Sequence, residues 1–319
     1  MKHKNIFLLL LLLAFNSAIA QELLKTNAHK VSTLKITTLS TMLANKGIGE
    51  WGYSALIESE GNKILFDTGA GPETVLQNAQ TLGIDLSVVE NVFLSHNHWD
   101  HTGGLLTLRK ELKKINPNAL KRVHVGKGIF LERVGKENKM LEMKAELERD
   151  GVEFIEYDSK KELFPGIWIT GPVDRVHNER NWSGSGTIKT ENKILEDNIP
   201  EDQSMVITTS NGFVLVSGCG HSGMINTMEQ IRTDIYADNF FAAIGGFHLI
   251  SASDEHLKWT ADKLKEFGLV NLNGGHCTGI NSLYELKELL GLDRFHAVVG
   301  SIGDTFDLEK GIKAGIIAR

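Results

Sequence analysis

The sequence has 319 residues, a formal net charge of −6 at pH 7 and two cysteines. An acidic chain has no general electrostatic attraction for nucleic acid or anionic lipid, so we expect neither as a partner. Two cysteines allow at most one disulfide within the chain, and the length suffices for one large domain or two packed halves.

The first twenty residues have the pattern of a secretory signal peptide. Lys2 and Lys4 precede an apolar run over residues 6–15, and residues 18–20 form an A-x-A cleavage site. The apolar run is well short of the ~20 residues that a spanning helix needs, which disfavours an uncleaved anchor. Because the leader carries two lysines and no acid, its removal takes the net charge from −6 to −8. We therefore expect a periplasmic or secreted protein that begins near Gln21 and has no stable membrane span.

Apolar strand-like runs then alternate with amphipathic helix-like stretches. Pro72 and Gly83 bracket one such helix, and Ser253 and Gly268 bracket another. The alternation predicts a layered α/β domain over 21–319, with sheets inside, helices outside, and halves at roughly 31–165 and 166–319. The polar stretch 174–203, which contains WSGSG at 182–186, predicts an irregular excursion between strands. The predicted strands cover residues 34–39, 54–58, 63–66, 89–95, 123–125, 167–170, 205–208, 213–217, 240–245, 270–272 and 297–299.

A group of metal-binding side chains directly follows the predicted strand 89–95. His96 and His98 lie two residues apart and can face one cation, while Asp100 and His101 can reach a second cation beside it. Imidazole nitrogens and a carboxylate suit zinc, with bonds of ~2.0–2.2 Å. Four such groups at this spacing after a strand indicate a metal site rather than a surface loop with chance histidines.

The same residues carry a resemblance to a known family. The segment HNHWDH at 96–101 matches the H-x-H-x-D-H signature of the metallo-β-lactamase superfamily. LFDTG at 65–69 is similar to the superfamily's early Asp element, so the resemblance implies that Asp67 braces the ligand loop. It covers nearly the whole chain after the leader and implies a four-layer αββα sandwich. EWGYSALIE, GCGHSG, IGGFHL and GGHCTG most resemble the branch related to archaeal dihydropterin aminobenzene-phosphate synthases.

Three later strand-like runs each end near a histidine. These are His221, His248 and His276, and glycine pairs before the last two let the backbone approach a neighbour closely. A satisfied core or loop histidine is the alternative at each position. For His248 a metal ligand, a hydrogen-bond donor to substrate and a general acid all stay open.

The resemblance implies two metal positions, since binuclear members hold two ions at one edge of the sandwich. We expect one or two Zn²⁺ ions per chain, with two favoured. The first ion is assigned to His96, His98 and His221. The second ion is assigned to Asp100, His101 and His276.

The two cysteines lie beside these assignments. Many members of the superfamily carry Gly-Asp where this chain has Gly218-Cys219, and their aspartate bridges the two metals. A thiolate is a softer ligand than a carboxylate, so Cys219 either ligates differently or packs. Cys277 directly follows His276, and a disulfide between the two cysteines is a further alternative.

The resemblance implies an exported zinc-dependent hydrolase. In it a hydroxide held by the metals attacks a small ester, lactone, amide or phosphoester. Asp100 would ligate and orient the nucleophile, and His248 would stabilise charge or donate a proton. The expected partner is a small-molecule substrate, and the sequence indicates no oligomeric state.

Three alternatives stand beside the hydrolase. A dihydropterin-type synthase on the same fold fits the branch resemblance, although export separates it from cytosolic pterin precursors. A β-lactamase fits the compartment but not the cysteine in GCGH. A metal-binding module without catalysis is disfavoured because all four groups of the signature are present.

Overall fold

The computed structural model describes residues 23–179, 181 and 186–318. The predicted signal peptide and most of the WSGSG stretch lie outside the described residues. Across those ranges no helix combines the length and apolar character needed to cross a membrane.

The chain alternates short strands and helices throughout. The helices are α1 (Thr74–Leu82), α2 (Trp99–Thr102), α3 (Leu105–Leu112), α4 (Lys139–Arg149), α5 (Met224–Asp234), α6 (Asp254–Glu266) and α7 (Ile280–Leu290), with 3₁₀ turns at His276–Thr278 and Ile316–Ala318. The strands are β1 (Lys35–Ser40), β2 (Ser54–Ser59), β3 (Asn62–Phe66), β4 (Asn91–Phe93), β5 (Arg122–Gly126), β6 (Glu132–Arg133), β7 (Glu153–Tyr157), β8 (Lys161–Phe164), β9 (Ile167–Ile169), β10 (Thr187–Lys189), β11 (Ile194–Glu196), β12 (Met205–Thr209), β13 (Gly212–Ser217), β14 (Phe240–Gly245), β15 (Asn271–Gly274), β16 (Ala297–Val299), β17 (Thr305–Asp307) and β18 (Gly311–Lys313).

Two large mixed sheets form the centre of the molecule. The first has the order β18-β17-β1-β2-β3-β4-β5-β7, and β3, β4, β5 and β7 are parallel. The second has the order β16-β15-β14-β13-β12-β9-β8, and β13 to β16 are parallel. A small sheet, β11-β10-β6, joins residues of the polar excursion to β6.

The layers follow from the two-residue period of the strands. In β3, Ile64 and Phe66 face the core between the sheets, whereas Leu65 faces the opposite core. Phe93 and Val214 join the central core from the two different sheets. Helices α1, α3 and α4 pack on the outer face of the first sheet, and α5, α6 and α7 on that of the second. This arrangement confirms the predicted four-layer αββα sandwich.

The boundary between the two sheets does not coincide with the predicted boundary between the two halves, near residue 165. Strands β17 and β18 come from the C-terminal end yet extend the first sheet beside β1, and β8 belongs to the second sheet. The C-terminal hairpin covers the side of β1 that would otherwise be an open edge. The strand predicted over 89–95 ends earlier, at Phe93, and the Ser95 amide donates to Asp67 Oδ1 at 2.7 Å.

The topology brings distant parts of the chain to one edge of the sandwich. The parallel strands β3 and β4 lead into Asp67 and His96, and β13, β14 and β15 lead into His221, His248 and His276. Carboxyl ends of parallel strands lie at the same edge of a sheet, where α/β proteins place their ligand sites.

The core beneath this edge provides a stability prediction. Phe93 is fully buried between the sheets, and its ring lies 4.8 Å from that of Phe66. We expect Phe93→Ala to lower the free energy of unfolding by about 3–5 kcal/mol, measured by urea denaturation of the metal-free protein. The matched control Phe295→Ala, at a side chain that is 58% exposed, should change it by less than about 0.5 kcal/mol. Equal effects of the two substitutions would contradict the assignment of Phe93 to the central core.

Candidate metal centre

The carboxylate of Asp67 holds the loop that follows β4. Its Oδ1 accepts the Ser95 amide at 2.7 Å, and its Oδ2 accepts the Ser95 hydroxyl at 2.7 Å. The same Oδ2 lies 2.7 Å from His101 Nδ1, and both side chains are fully buried. A proton on Nδ1 that is donated to Asp67 leaves Nε2 of the neutral ring with a free lone pair. Asp67 therefore braces this loop, in the position that the family resemblance implied.

Three imidazoles converge in a first cluster. One donor atom from each of His96, His98 and His221 lies within 4.8 Å of the others. His96 Nδ1 lies 2.9 Å from the Ser95 hydroxyl, and His221 Nδ1 hydrogen-bonds to the carbonyl of Asn181. The Nε2 atoms of His96 and His221 are buried without a hydrogen-bond partner among the described residues. Buried lone pairs that nothing else satisfies fit a cation between these rings.

A carboxylate and two imidazoles form a second cluster beside the first. His276 Nε2 lies 3.2 Å from Asp100 Oδ2 and 3.3 Å from His101 Nε2. His101 and His276 are fully buried, and Asp100 is 6% exposed. The ring of His101 also lies 4.2 Å from that of His96, centroid to centroid, so the two clusters adjoin.

The electrostatics favour neutral imidazoles in the first cluster and an ionised carboxylate in the second, which are forms that ligate metals. Burial holds the pKa of His96 well below its usual value and lowers that of His98 to about 4. Burial would raise the pKa of Asp100, but the hydrogen bond from His276 and the nearby imidazoles lower it to about 2. At His101 burial opposes a charge, yet Asp67 and Asp100 outweigh it and raise the pKa. The second cluster therefore attracts positive charge.

His248 and the two cysteines complete the surroundings of the clusters. The ring of His248 lies 4.6 Å from that of His221, and its Nδ1 has no hydrogen-bond partner among the described residues. Cys219 and Cys277 are buried free thiols whose Sγ atoms are 3.2 Å apart, so the structure contains a thiol pair and not the alternative disulfide. The Cys219 Sγ lies 3.1 Å from His101 Nε2.

Three of the six non-glycine residues with a left-handed backbone in the described part of the chain lie at this edge. Asp67, His248 and His276 adopt left-handed φ angles of 50°, 47° and 48°. Such a conformation costs a non-glycine residue about 1–2 kcal/mol, so the surrounding fold must impose it. Gly245 shows how tightly strands pack here, because a Cβ on it would overlap the carbonyl oxygen of Ser217. Gly246 likewise abuts the carbonyl of Gly218, so the glycine pair before His248 serves close backbone approach, whereas a Cβ on Gly274 or Gly275 would meet side chains.

Two cavities open onto the first cluster. One has a volume of about 570 Å³ and is lined in part by His98, His248 and Lys136. The other has a volume of about 650 Å³ and is lined in part by His98, Lys136 and Trp99. Asp197 also lines both, so the two cavities meet at shared residues next to the histidines.

Comparisons with known proteins agree on the fold. The model of the metallo-β-lactamase superfamily matches residues 52–172. Over 291 residues the chain is 33% identical to the 7,8-dihydropterin-6-methyl-4-(β-D-ribofuranosyl)-aminobenzene-5′-phosphate synthase of Methanocaldococcus jannaschii, a match that covers 85% of this chain and 97% of that protein. The chain belongs to the metallo-β-lactamase superfamily. The predicted likeness to the synthase branch is confirmed by the same match.

Solved structures of superfamily members share the architecture. The structure of Tm1679, a metal-dependent hydrolase of the β-lactamase superfamily, matches with a TM-score of 0.68 at 25% identity, over 87% of this chain and 99% of that one. The metallo-β-lactamase fold protein YhfI from Bacillus subtilis matches with a TM-score of 0.56 at 14% identity, over 86% of this chain and 100% of that one. The second likeness concerns the fold alone.

The structure gathers every residue that the sequence singled out as a candidate for the superfamily site. Their side chains lie at one edge of the sandwich, and each lies next to at least one other member of the set. They are Asp67, His96, His98, Asp100, His101, Cys219, His221, His248 and His276.

Three supporting residues in the polar excursion 174–203 were not predicted. The Asn181 carbonyl accepts from His221, Glu201 Oε1 accepts the Asn97 amide at 3.1 Å, and Asp202 Oδ2 accepts the Ser222 amide at 2.7 Å. Backbone groups and isolated acids have no recognisable spacing. The adjacent pair Glu201-Asp202, directly before an apolar strand, was the one available signal.

A loop over residues 44–53 precedes β2 and lies beside the second cluster. Glu50 fixes it, because its carboxylate accepts the amides of Ala70 and Gly71 at 2.9 and 2.7 Å. Trp51 is 40% exposed, and its ring lies 4.7 Å from that of His276. The segment is thus an anchored turn that places one indole ring beside the second cluster.

Asp100 provides a direct test of the second cluster. We expect Asp100→Ala, purified without the leader and loaded with zinc, to contain one metal fewer per chain than the parent, because the only carboxylate of the cluster is lost. Metal content is measured by mass spectrometry of the metal and folding by circular dichroism. Asp262→Ala, at an exposed position on α6, is the control and should keep the parental content. Unchanged metal content in a folded Asp100→Ala protein would refute the assignment.

Proposed function

We propose that this protein is a metal-dependent enzyme of the dihydropterin synthase type, which joins two small molecules, one of them with a flat heteroaromatic ring. The observation that carries this proposal is the 33% identity to the Methanocaldococcus jannaschii synthase, since it extends over 97% of that protein. This reading replaces the exported hydrolase as the favoured one, because the similarity concerns the whole chain and not the metal signature alone.

The proposed enzyme would bind two zinc ions, one at each cluster. Imidazole nitrogen and carboxylate oxygen are borderline to hard ligands, which suit zinc in this mixture. When bound, zinc supplies Lewis-acid activation of a nucleophile or a leaving group near neutral pH. His96, His98 and His221 would hold one ion. Asp100, His101 and His276 would hold the other.

Residues in and around the clusters would orient the ligands, the leaving group and the nucleophile. Asp67 keeps His101 in the tautomer whose Nε2 faces the site. His248 lines the smaller cavity, and its buried Nδ1 has no hydrogen-bond partner among the described residues, so this side chain is our candidate to donate a hydrogen bond or a proton to a leaving group. The second carboxylate oxygen of Asp100 is available to orient a nucleophile next to the same ions.

The larger cavity supports a substrate with a flat ring. Trp99, in the ligand loop itself, is 65% exposed although tryptophan is usually well buried. Met140 and Met143 line the same cavity and offer adaptable apolar contact. An aromatic ring of a substrate that stacks on Trp99 would lie directly beside His98.

A hydrolase is the second candidate, and one observation favours it. Tm1679, which shares the fold with a TM-score of 0.68, is described as a metal-dependent hydrolase. The same metal centre would then activate water against a small ester, lactone, amide or phosphoester. The two candidates differ in the acceptor, which is a second substrate in the synthase and water in the hydrolase.

Product analysis separates the two candidates. The zinc-loaded protein is incubated with 4-(β-D-ribofuranosyl)-aminobenzene 5′-phosphate and a 7,8-dihydropterin that carries a leaving group on its 6-methyl carbon. We expect the coupled product by mass spectrometry, and none from a His101→Ala control. Hydrolysis of chromogenic esters, lactones or phosphoesters without coupling would establish the hydrolase instead.

Trp99 extends the same experiment to the substrate ring. Loss of a stacking partner worth about 0.5–1.5 kcal/mol should raise the KM for the pterin about twofold to tenfold in Trp99→Ala, with kcat little changed. Trp99→Phe keeps a ring and should restore most of the affinity. An unchanged KM in Trp99→Ala would place the ring elsewhere.

We also propose that the chain is exported to the periplasm or beyond. The support is the leader pattern in residues 1–20, which lies outside the described residues. Expression of the full-length chain with N-terminal sequencing of the product from the cell envelope fraction should give a start near Gln21. Recovery of the uncleaved chain from the cytoplasm would contradict export, and it would also remove the conflict between export and a synthase that uses cytosolic precursors.

A further inference from the structure

Cys219 has a central place that neither cluster accounts for. Its Sγ belongs to a group of donor atoms with His96 and His101, all within 4.8 Å of one another, and to a similar group with His221 and His248. It also forms such a group with His276 and Cys277. The sulfur is therefore close to donors of both the first and the second cluster, at their common boundary.

The contacts of this sulfur are polar, unlike those of a packed core cysteine. Cys219 is 2% exposed, and its Sγ lies 3.1 Å from His101 Nε2. The Cys277 thiol donates a hydrogen bond to the Cys219 Sγ, with 3.2 Å between the two sulfur atoms. Cys277 in turn accepts the backbone amide of His248 at 3.3 Å. A sulfur and an imidazole nitrogen that lie 3.1 Å apart, both buried and directed at each other, are placed as two ligands of one cation would be.

We propose that the Cys219 sulfur is a metal ligand placed between the two clusters, and that Cys277 is a positioning residue whose Sγ lies against that sulfur. The inference rests on the metal centre of the proposed function. On metal binding the Cys219 S–H bond breaks, its proton goes to solvent, a sulfur–metal bond forms, and no electron is transferred.

A sulfur ligand would influence which metal the site selects. A site with a thiolate at its centre favours zinc and cobalt over magnesium, calcium or manganese, which prefer oxygen ligands. Packing alone, the competing account of Cys219, predicts no sulfur–metal bond and no such preference.

Cobalt substitution tests the proposal without any enzymatic substrate. The metal-free protein is titrated with Co²⁺ alone, and near-ultraviolet absorption reports thiolate-to-cobalt charge transfer. We expect this band in the parent and in Cys277→Ser, and its loss in Cys219→Ser. Since loss of a partner outside the ligand set already costs 10–100-fold in metal affinity, Cys219→Ser should weaken binding of at least one ion by about tenfold or more.

A second measurement covers the case in which Cys219→Ser does not fold. X-ray absorption at the zinc edge of the parent and of Cys277→Ser should each show sulfur at ~2.3 Å from zinc. Two bound ions with only nitrogen and oxygen neighbours, or a charge-transfer band that persists in Cys219→Ser, would overturn the inference and leave the proposed function intact. A protein that binds neither Co²⁺ nor Zn²⁺ would overturn both.

Discussion

The contact of Asp67 with Ser95 and His101 is the interaction on which the site depends. It ties the end of β3 to the loop after β4 through three hydrogen bonds of 2.7 Å within a buried environment. Because the loop is fixed, its donors face the ends of β13, β14 and β15 on the other sheet. The left-handed backbone at Asp67, His248 and His276 indicates that the two sheets impose this convergence against local preference.

Local sequence signals predicted much of this arrangement. The H-x-H-x-D-H spacing, the glycine pairs and the two-residue strand period each act over a few residues, so they indicated a layered α/β domain and most of the candidate histidines. The four-layer sandwich and the roles of Asp67 and Cys219 were implied by the family resemblance. The C-terminal hairpin beside β1 and the Asn181 carbonyl that holds His221 depend on long-range packing. No spacing rule predicts which backbone carbonyl will accept a hydrogen bond from a histidine. The strands β17 and β18 are too short to be predicted from local pattern, and their role depends on pairing with β1.

The site has an enclosed side with nitrogen, oxygen and sulfur donors and an open side that faces two cavities. Six imidazole and carboxylate donors lie on either side of a buried sulfur, and the open side leads to cavities with an exposed indole and a free imidazole. The enclosed side would set which metal binds, whereas the open side would set which substrate reaches it. Superfamily membership therefore accounts for the scaffold, and the residues around Trp99 and His248 would determine substrate specificity.

The central claim is that strand ends from both sheets hold two cations side by side. Anomalous diffraction at the zinc edge from crystals of the zinc-loaded protein tests it most directly. The account predicts two peaks ~3.5–4 Å apart, one among His96, His98 and His221 and the other among Asp100, His101 and His276. A single peak, or zinc bound away from these histidines, would contradict it.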